Sequence, residues 1–445
     1  MKNQIAIIGA GAAGCFAAIH IKRRFPSAKV TIYESGTRPL AKLAVTGGGR
    51  CNLTNSFADI NSLETVYPRG YRLMKRLFHE FSHTDAFNWF ENEGVNLITQ
   101  DDDCVFPQSQ NAMEIVNLLL RRCRELSVTI KTSCRVTSLE HSGDIYIIRC
   151  KECEYTADTV IVATGGTPKA SGFAWLQSLG LDIIAPVPSL FSFALGGSQE
   201  SVECGVKSVE YSAQNPKNSS LNTKHSTLNT PHSSLHTPHS TLTPLSGTVV
   251  KQVTTSLVGT KFRAHGPLLI THWGASGPAI LKLSSMAARH LADNSYISTL
   301  AINWMDDMTD NDTTAMIRGM MADNPQKQLQ NIYPTALNAR LWTHLITKAG
   351  LNPSARWSEI GRKQINRLAN TLTNDQYRIT GKNKHKEEFV TCGGISLSNL
   401  NPHTLECKTH RGLYFIGEVT DVDAITGGFN LQAAWTMAYV AANSL

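Results

Sequence analysis

The residues best placed to do chemistry lie at the start of the chain. Gly9-Ala10-Gly11-Ala12-Ala13-Gly14 spaces three glycines as G-x-G-x-x-G, and Glu34 stands twenty residues after the last of them. In that spacing the first glycine permits a tight turn, and the second lets the backbone approach a pyrophosphate. The third lets a helix pack close to a strand. Free N–H groups at the helix start would hold the phosphates. An acid at position 34 would accept both hydroxyls of an adenosine ribose and repel a 2′-phosphate. The chemistry implied is the binding of an ADP-ribosyl cofactor.

Two more glycine turns narrow the cofactor. Val160-Ile161-Val162 runs into Ala163-Thr164-Gly165-Gly166, and Leu413-Tyr414-Phe415-Ile416 runs into Gly417-Glu418. Asp421 and Asp423 follow, then Gly427-Gly428-Phe429-Asn430-Leu431, which opens an apolar helix. A strand, a small residue and an acid would suit a ribityl chain. The helix start would face a flavin pyrimidine edge, where negative charge develops on reduction. A dehydrogenase built on the first motif would continue into a second mononucleotide half. This chain instead returns to its first unit at the C-terminus, so the three separated turns favour FAD over NAD. With no second glycine fingerprint, NAD(P)H would act only as a transient donor docking on the flavin face.

These turns need elements to carry them. Gln4 to Ile8 reads as a buried parallel strand, Ala12 to Arg24 as a helix, and Lys29 to Tyr33 as a second strand. A glycine-rich loop, Thr46 to Asn52, precedes helical stretches around 70–93 and an amphipathic helix from Ala112 to Leu126, with Ile115, Leu118, Leu119 and Cys123 on one face. Val128 to Lys131 and Arg135 to Leu139 read as strands, a hairpin follows, and Asp158 to Ala163 is another buried strand. From Pro186 the pattern changes to short alternating strands at Leu190–Leu195, Gly205–Tyr211, Thr248–Thr255, Gly259–Arg263 and Leu268–Thr271. Residues 309–373 are mostly helical, and strands return at Gln376–Ile379, Glu388–Thr391 and Gly412–Ile416 before a last helix, Leu431 to Ala442.

Within the β-rich part, Asn218 to Leu245 is an imperfect seven-residue repeat. Each unit has one Leu and most have Pro, so no coiled-coil seam exists. His225, His232, His236 and His239 could suggest a metal tract, but a disordered hairpin insertion is the simpler reading of the segment.

Other candidates are weaker. Cys150 and Cys153 have C-x-x-C spacing, but no second pair completes a zinc site; a turn carrying two incidental thiols is the simpler reading. Cys51 has no partner thiol nearby and is read as packing. His272, in the sharp turn before Gly274-Ala275-Ser276-Gly277-Pro278, is the candidate acid or base. The composition, with 42% apolar and 17% charged residues over 445 positions, excludes a globally disordered chain, and 32 glycines with 17 prolines exclude a collagenous one. No window approaches a membrane span, and the first strand meets its glycine too soon for a signal peptide, so a cytoplasmic protein is expected. Ten cysteines are ordinary for a reducing compartment. A net charge of +7 is mild, and Arg121–Arg124 and Lys382–Lys386 read as solvated surface rather than a nucleic-acid footprint.

The chain resembles the bacterial aminoacetone-oxidase-like or BaiN-like FAD-binding enzymes, a branch of the glutathione-reductase-type flavin fold. The matching strings are the first glycine turn, Lys42-Leu43 with Gly47-Gly48-Gly49-Arg50-Cys51-Asn52, and Ala163 to Gly166. Further along they are Leu269 to Pro278, Val390 to Gly394, and Gly417-Glu418 through Asn430. The resemblance implies an α/β fold with a split Rossmann-like FAD domain (1–188 and 390–445). It also implies an inserted antiparallel β domain (189–302 and 376–389, with 214–245 its disordered loop) and a small helical domain (303–375). FAD contacts are expected at Gly9, Gly11, Ala12, Ala13 and Gly14, at Glu34, Ser35 and Lys42, and at Gly49, Arg50, Cys51 and Asn52. They continue at Val136, at Ala163, Thr164 and Gly165, and at Gly417, Glu418, Gly428, Phe429, Asn430 and Leu431. Ala424, Phe429 and Ser398-Asn399 depart from the family pattern. The activity implied is FAD-dependent oxidation or reduction of a small organic substrate, with oxygen or NAD(P)H as the exchange partner and neither nucleic acid nor membrane involved. A flavin-bound redox sensor and an RNA-modifying flavoenzyme stand as alternatives.

Overall fold

The computed structural model describes residues 4–167, 169–196, 242–382 and 390–445. Its organising element is a five-stranded parallel sheet. The strand order is Leu413–Phe415, Thr159–Val162, Gln4–Ile8, Lys29–Tyr33 and Thr129–Lys131. Four of five residues are buried in each of Gln4–Ile8 and Lys29–Tyr33, as a sheet covered on both faces requires. The helix Ala12–Arg24 covers one face and packs against the last helix, Phe429–Asn443, which joins the two chain ends. The basic last turn of the first helix, Lys22, Arg23 and Arg24, complements its negative end. A three-stranded antiparallel meander, Val136–Ser142, Ile145–Cys150 and Glu154–Ala157, lies beside the sheet.

The chain leaves and re-enters this unit through one antiparallel ribbon, Ile183–Ser189 paired with Val390–Ile395. Beyond the ribbon is a closed six-stranded barrel, in the order Phe193–Leu195, Gly274–Ser276, Arg263–Thr271, Val249–Leu257, Ser298–Asn303 and Asp375–Lys382. The helices Asp310–Asp323, Ala339–Lys348 and Arg362–Thr373 pack beside it, the first opened by a Thr309/Asp312 capping box. Two apolar cores result. One gathers 5–179 with 395–442, and the other gathers 191–379 around Trp304, Trp342 and Trp357.

Three expectations need correction. Gly259–Arg263 and Leu268–Thr271 are not two strands: Gly259 sits in a turn at φ +78°, and Arg263–Thr271 is one nine-residue strand. The Gly266-Pro267 pair reads as a break but lies opposite a bulge between Val250 and Val253, where the ladder makes no demand on a proline N–H. The strand expected to stop at Thr391 continues to Ile395, with Gly393 and Gly394 at positive φ inside it. A Cβ on Gly393 would stand 2.5 Å from the Ala185 carbonyl oxygen of the partner strand. Finally, the expected disordered loop ends too late. Leu242 and Leu245 are buried in the barrel core on a short 3₁₀ turn, Thr243–Leu245. Most of the repeat, and the strand expected at Gly205–Tyr211, lie outside the described residues. Among the described residues no helix is long and apolar enough to cross a membrane.

Two predictions test this packing. Leu242→Ala should cost about 2–5 kcal/mol through the cavity it leaves, read by chemical denaturation. A loss within about 0.5 kcal/mol would place the segment outside the core. His20 is enclosed by Phe16, Trp89 and Tyr439, with Nε2 buried and unpartnered. Burial, helped by Arg23, pulls its pKa from 6.5 down to about 3. Between those values the unfolded chain binds the proton and the folded one does not, so stability falls as pH drops below 6.5. The loss should be on the order of 1 kcal/mol per pH unit. His20→Phe should flatten that part of the stability–pH curve; an unchanged slope would show that other groups set it.

Candidate functional site

A cavity of about 740 Å³ opens at the C-terminal ends of the parallel strands. Its walls are the loops that follow four of those strands, closed by the 40–48 segment, the last helix and residues on the barrel side. The first wall is the Gly9–Ala13 turn. Gly9 has φ +110°, and a Cβ there would stand 2.4 Å from the Ala163 carbonyl oxygen. A Cβ on Gly14 would stand 2.1 Å from the Gly9 carbonyl oxygen, so helix and strand touch backbone to backbone. Gly11 differs: a Cβ there meets nothing within 4 Å and would project into open space. The helix that starts beyond Gly11 has no side-chain cap and no acid in its first turn, so its N–H groups are left for an anion. Lys42 and Arg38 add positive charge to the same wall.

Glu34 sits at the end of the second strand. One carboxylate oxygen accepts from the Ala10 N–H at 2.8 Å and the other from the Gly36 N–H at 2.6 Å. Both bonds fix the carboxylate while leaving lone pairs toward the cavity. Ser35 Oγ donates to Glu34 at 3.3 Å and does not itself line the cavity. Glu418 lines it between two partners, accepting from the Thr391 N–H at 2.9 Å and from Lys42 Nζ at 2.6 Å.

The opposite end is built by the last helix. Its N-cap Gly428 is left-handed at φ +89°, and a Cβ there would stand 2.1 Å from the Thr54 carbonyl oxygen. No side chain caps it and no acid lies in the first turn. The Asn52 amide fits with its NH₂ donating to Thr54 O at 3.0 Å and its oxygen accepting from Gly428 N–H at 3.2 Å. Asn430 clamps the preceding loop, accepting from Ala424 N–H at 2.9 Å and donating to Ala424 O at 3.0 Å. Leu431, Ala163, Thr164, Gly165 and Gly417 complete this part of the wall. Among the lining residues the ionisable side chains are Glu34, Arg38, Lys42 and Glu418.

Several expected residues lie elsewhere. Gly14, Gly49, Cys51 and Val136 do not line the cavity. Cys51 is buried, and burial pushes its thiol up to about 12, in keeping with packing. Arg50 stacks on Phe106 at 4.4 Å and donates to the Gly47 carbonyl. Phe429 is buried edge-on to Phe57, its carbonyl accepting from the Tyr67 hydroxyl. Ser398-Asn399 lies on a surface 3₁₀ turn, with Asn399 donating to the Asp182 carbonyl. His272 is exposed on a barrel turn and is not brought to the cavity.

Sequence reasoning missed the barrel side, where Leu190, Leu281 and Val390 face the cavity. It also missed a buried ion pair behind it. Arg69 forks onto both Asp423 carboxylate oxygens through its Nε and Nη2, and Ser189 Oγ donates to the same carboxylate at 3.1 Å. Arg69 also donates to the Ser285 carbonyl at 2.7 Å, and Arg289 forks onto Asp421 at 2.6 and 2.8 Å. Burial raises the pKa of Asp423, and Arg69 pulls it the other way. Only the two aspartates near the third glycine turn hinted at this.

The residues present fit FAD: two uncapped helix starts, a fixed carboxylate, and a cradle that a side chain at Gly11 would fill. The family model described as the HI0933-like protein Rossmann domain matches residues 3–444. The chain belongs to that family. It is an FAD-dependent oxidoreductase. A ribosomal RNA dihydrouridine synthase of Escherichia coli K12 is 26% identical over 99% of this chain and 97% of its own length. A 3-dehydro-bile acid delta(4,6)-reductase of Clostridium scindens is also 26% identical, over 99% of this chain and 98% of that protein. A solved E. coli quinol fumarate reductase FrdA covers 99% of this chain and 69% of its own, with 12% identity and a TM-score of 0.46.

The Arg69–Asp423 pair gives a test. Asp423→Ala leaves a buried guanidinium unpaired and should cost about 3–5 kcal/mol, whereas replacing Arg69 by Met and Asp423 by Leu together should recover most of it. A loss under about 1 kcal/mol for the single change would mean that the pair is solvated in solution.

Proposed function

We propose that this flavoenzyme reduces a carbon–carbon double bond conjugated to a carbonyl in a small organic substrate, with NAD(P)H as the transient electron donor. Residues 1–188 and 390–445 are the FAD half in this reading, and the barrel with its helices forms the substrate side. The observation that carries it is the lining of the cavity. Four ionisable side chains line it, and in this reading each serves the cofactor's ribose, phosphates or ribityl chain rather than a nucleophilic step. A wall so poor in acids, bases and nucleophiles suits chemistry that the cofactor performs.

The two relatives support the reaction class. A delta(4,6)-reductase removes conjugated double bonds, and dihydrouridine is uridine with its carbonyl-conjugated 5,6 double bond reduced. The two acceptors differ in size but share one electronic feature.

Bound FAD supplies a carrier for two electrons as hydride. Glu34, held by Ala10 and Gly36, accepts the ribose hydroxyls. The N–H groups beyond Gly11 and the Lys42 ammonium hold phosphate charge, and Lys42 is itself held by Glu418. The helix that begins at Phe429 offers unpaired N–H groups to whatever negative charge develops at its end of the cavity. Leu190, Leu281 and Val390 exclude water from the barrel side.

Gly11→Val and Glu34→Arg should both fold, since the first side chain enters empty space and the second sits at a strand end. Both should lose FAD, read as flavin absorbance per protein. Wild-type melting temperature with full flavin content in either variant would put the cofactor elsewhere. Anaerobic, NAD(P)H-reduced enzyme should then be reoxidised by cyclic enones faster than by oxygen. Reoxidation by oxygen alone would make it an oxidase, and turnover only with uridine-containing RNA would overturn the small-molecule reading.

A further inference from the structure

We propose that Cys134 and Cys150 form a reversible disulfide, written by small peroxides through the exposed Cys153, that tightens the loop carrying Glu34. The C-x-x-C pair has a third thiol beside it that no spacing could reveal. Cys134 Sγ lies 3.1 Å from Cys150 Sγ, although sixteen residues separate them. Val136, two residues after Cys134, pairs with Cys150 as the end rung of the meander, so Cys134 enters the ladder just beside Cys150. Cys150 and Cys153 flank a tight turn in which the Cys150 N–H donates to the Cys153 carbonyl at 2.8 Å. The gradation of access is ordered: Cys153 is exposed, whereas Cys134 and Cys150 are half-buried. Burial pushes the Cys150 thiol up to about 12, which keeps it from reacting first.

The chemistry balances. The Cys153 thiolate takes one oxygen from the peroxide, which breaks the O–O bond and forms a sulfenic acid, and the departing hydroxide takes up the proton that ionisation of the Cys153 thiol gave to solvent, leaving as one water. Cys150 displaces the bound oxygen as a second water and forms the Cys150–Cys153 disulfide. Cys134 then attacks the Cys150 sulfur, and Cys153 departs as the thiol. In sum, two thiols lose two electrons and two protons, and hydrogen peroxide becomes two waters.

The site is tied to the cofactor end by backbone bonds. Glu34 N–H donates to Lys131 O, Cys134 N–H to Glu34 O and Ser133 N–H to Gly36 O, each at 2.8 Å. The strip 131–134 is thus zipped to 34–36, the loop that fixes the Glu34 carboxylate. A covalent link at Cys134 restrains that strip, so oxidation should slow release of FAD; this coupling rests on the placement of the cofactor against Glu34 proposed above.

The test uses the full-length flavoprotein, reduced with dithiothreitol, desalted and treated with equimolar hydrogen peroxide. Peptide mapping should show a Cys134–Cys150 link with a mass loss of two hydrogens. Cys153→Ser should slow its formation about tenfold, because the accessible thiolate is gone. Cys134→Ser and Cys150→Ser should abolish it. FAD release, followed by flavin fluorescence on dilution, should be several-fold slower in the oxidised wild type and unchanged by peroxide in Cys134→Ser. A lasting Cys150–Cys153 link, or over-oxidised Cys153 with Cys134 free, would overturn the disulfide. A Cys134–Cys150 link without a change in FAD release would overturn the coupling. Protein that carries no FAD in any form would count against the cofactor placement instead, and the peptide map would still judge the disulfide.

Discussion

Backbone touching backbone at Gly9 and Gly14 is the constraint from which the rest of the site follows. The first helix can lie against its strand only because neither position carries a Cβ, and the Ala163 carbonyl presses on Gly9 from the other side. Two chain segments far apart in sequence are thereby brought into direct backbone contact. Their loops have to open in one direction, at the C-terminal edge of the sheet, where the strands on either side diverge. The close approach also leaves the N–H groups beyond Gly11 without competition, since no side chain is near enough to cap them. A methyl group at either contact would cost both the packing and the anion site at once.

The second half of the site depends on charge taken out of water. Arg69, Asp423 and Ser189 join the last glycine segment, the first core and the ribbon, while Arg69 also reaches the Ser285 carbonyl on the barrel side. Such a pair contributes little net stability, yet it penalises any arrangement that separates its members. Its value here is one of register between the two cores. Glu418 does the same on the cavity wall, with one oxygen on the ribbon at Thr391 and the other on Lys42.

Local patterns were legible in the sequence wherever chemistry and geometry shared the same residues. The glycine turn, the strand ending on Glu34 and the return of the C-terminus to the first sheet all follow from spacing and apolar periodicity, and the structure has them within a residue or two. Long-range meetings were not. Nothing near Arg69 announces Asp423, Cys134 carries no sign of Cys150, and the barrel residues that face the cavity are ordinary leucines and valines. The gap expected between Arg263 and Leu268 failed for another reason: a bulge in the neighbouring strand absorbs what Pro267 would normally forbid. Leu242 and Leu245 were hidden because the repeat gives its units similar residues, with nothing in the pattern to mark these two as core.

The ribbon of Ile183–Ser189 and Val390–Ile395 carries the chain out and back side by side, so everything between its strands hangs from a single pair of adjacent attachment points. An ancestor with that topology could exchange one inserted body for another without redrawing the parallel sheet or disturbing the cofactor turns. The ribbon works as a socket. Under selection, the parallel-sheet half can be kept by its backbone contacts while the inserted half, the substrate side in the reading proposed above, drifts toward new molecules. A lineage with this architecture can diversify its chemistry's targets at the pace of the insert alone.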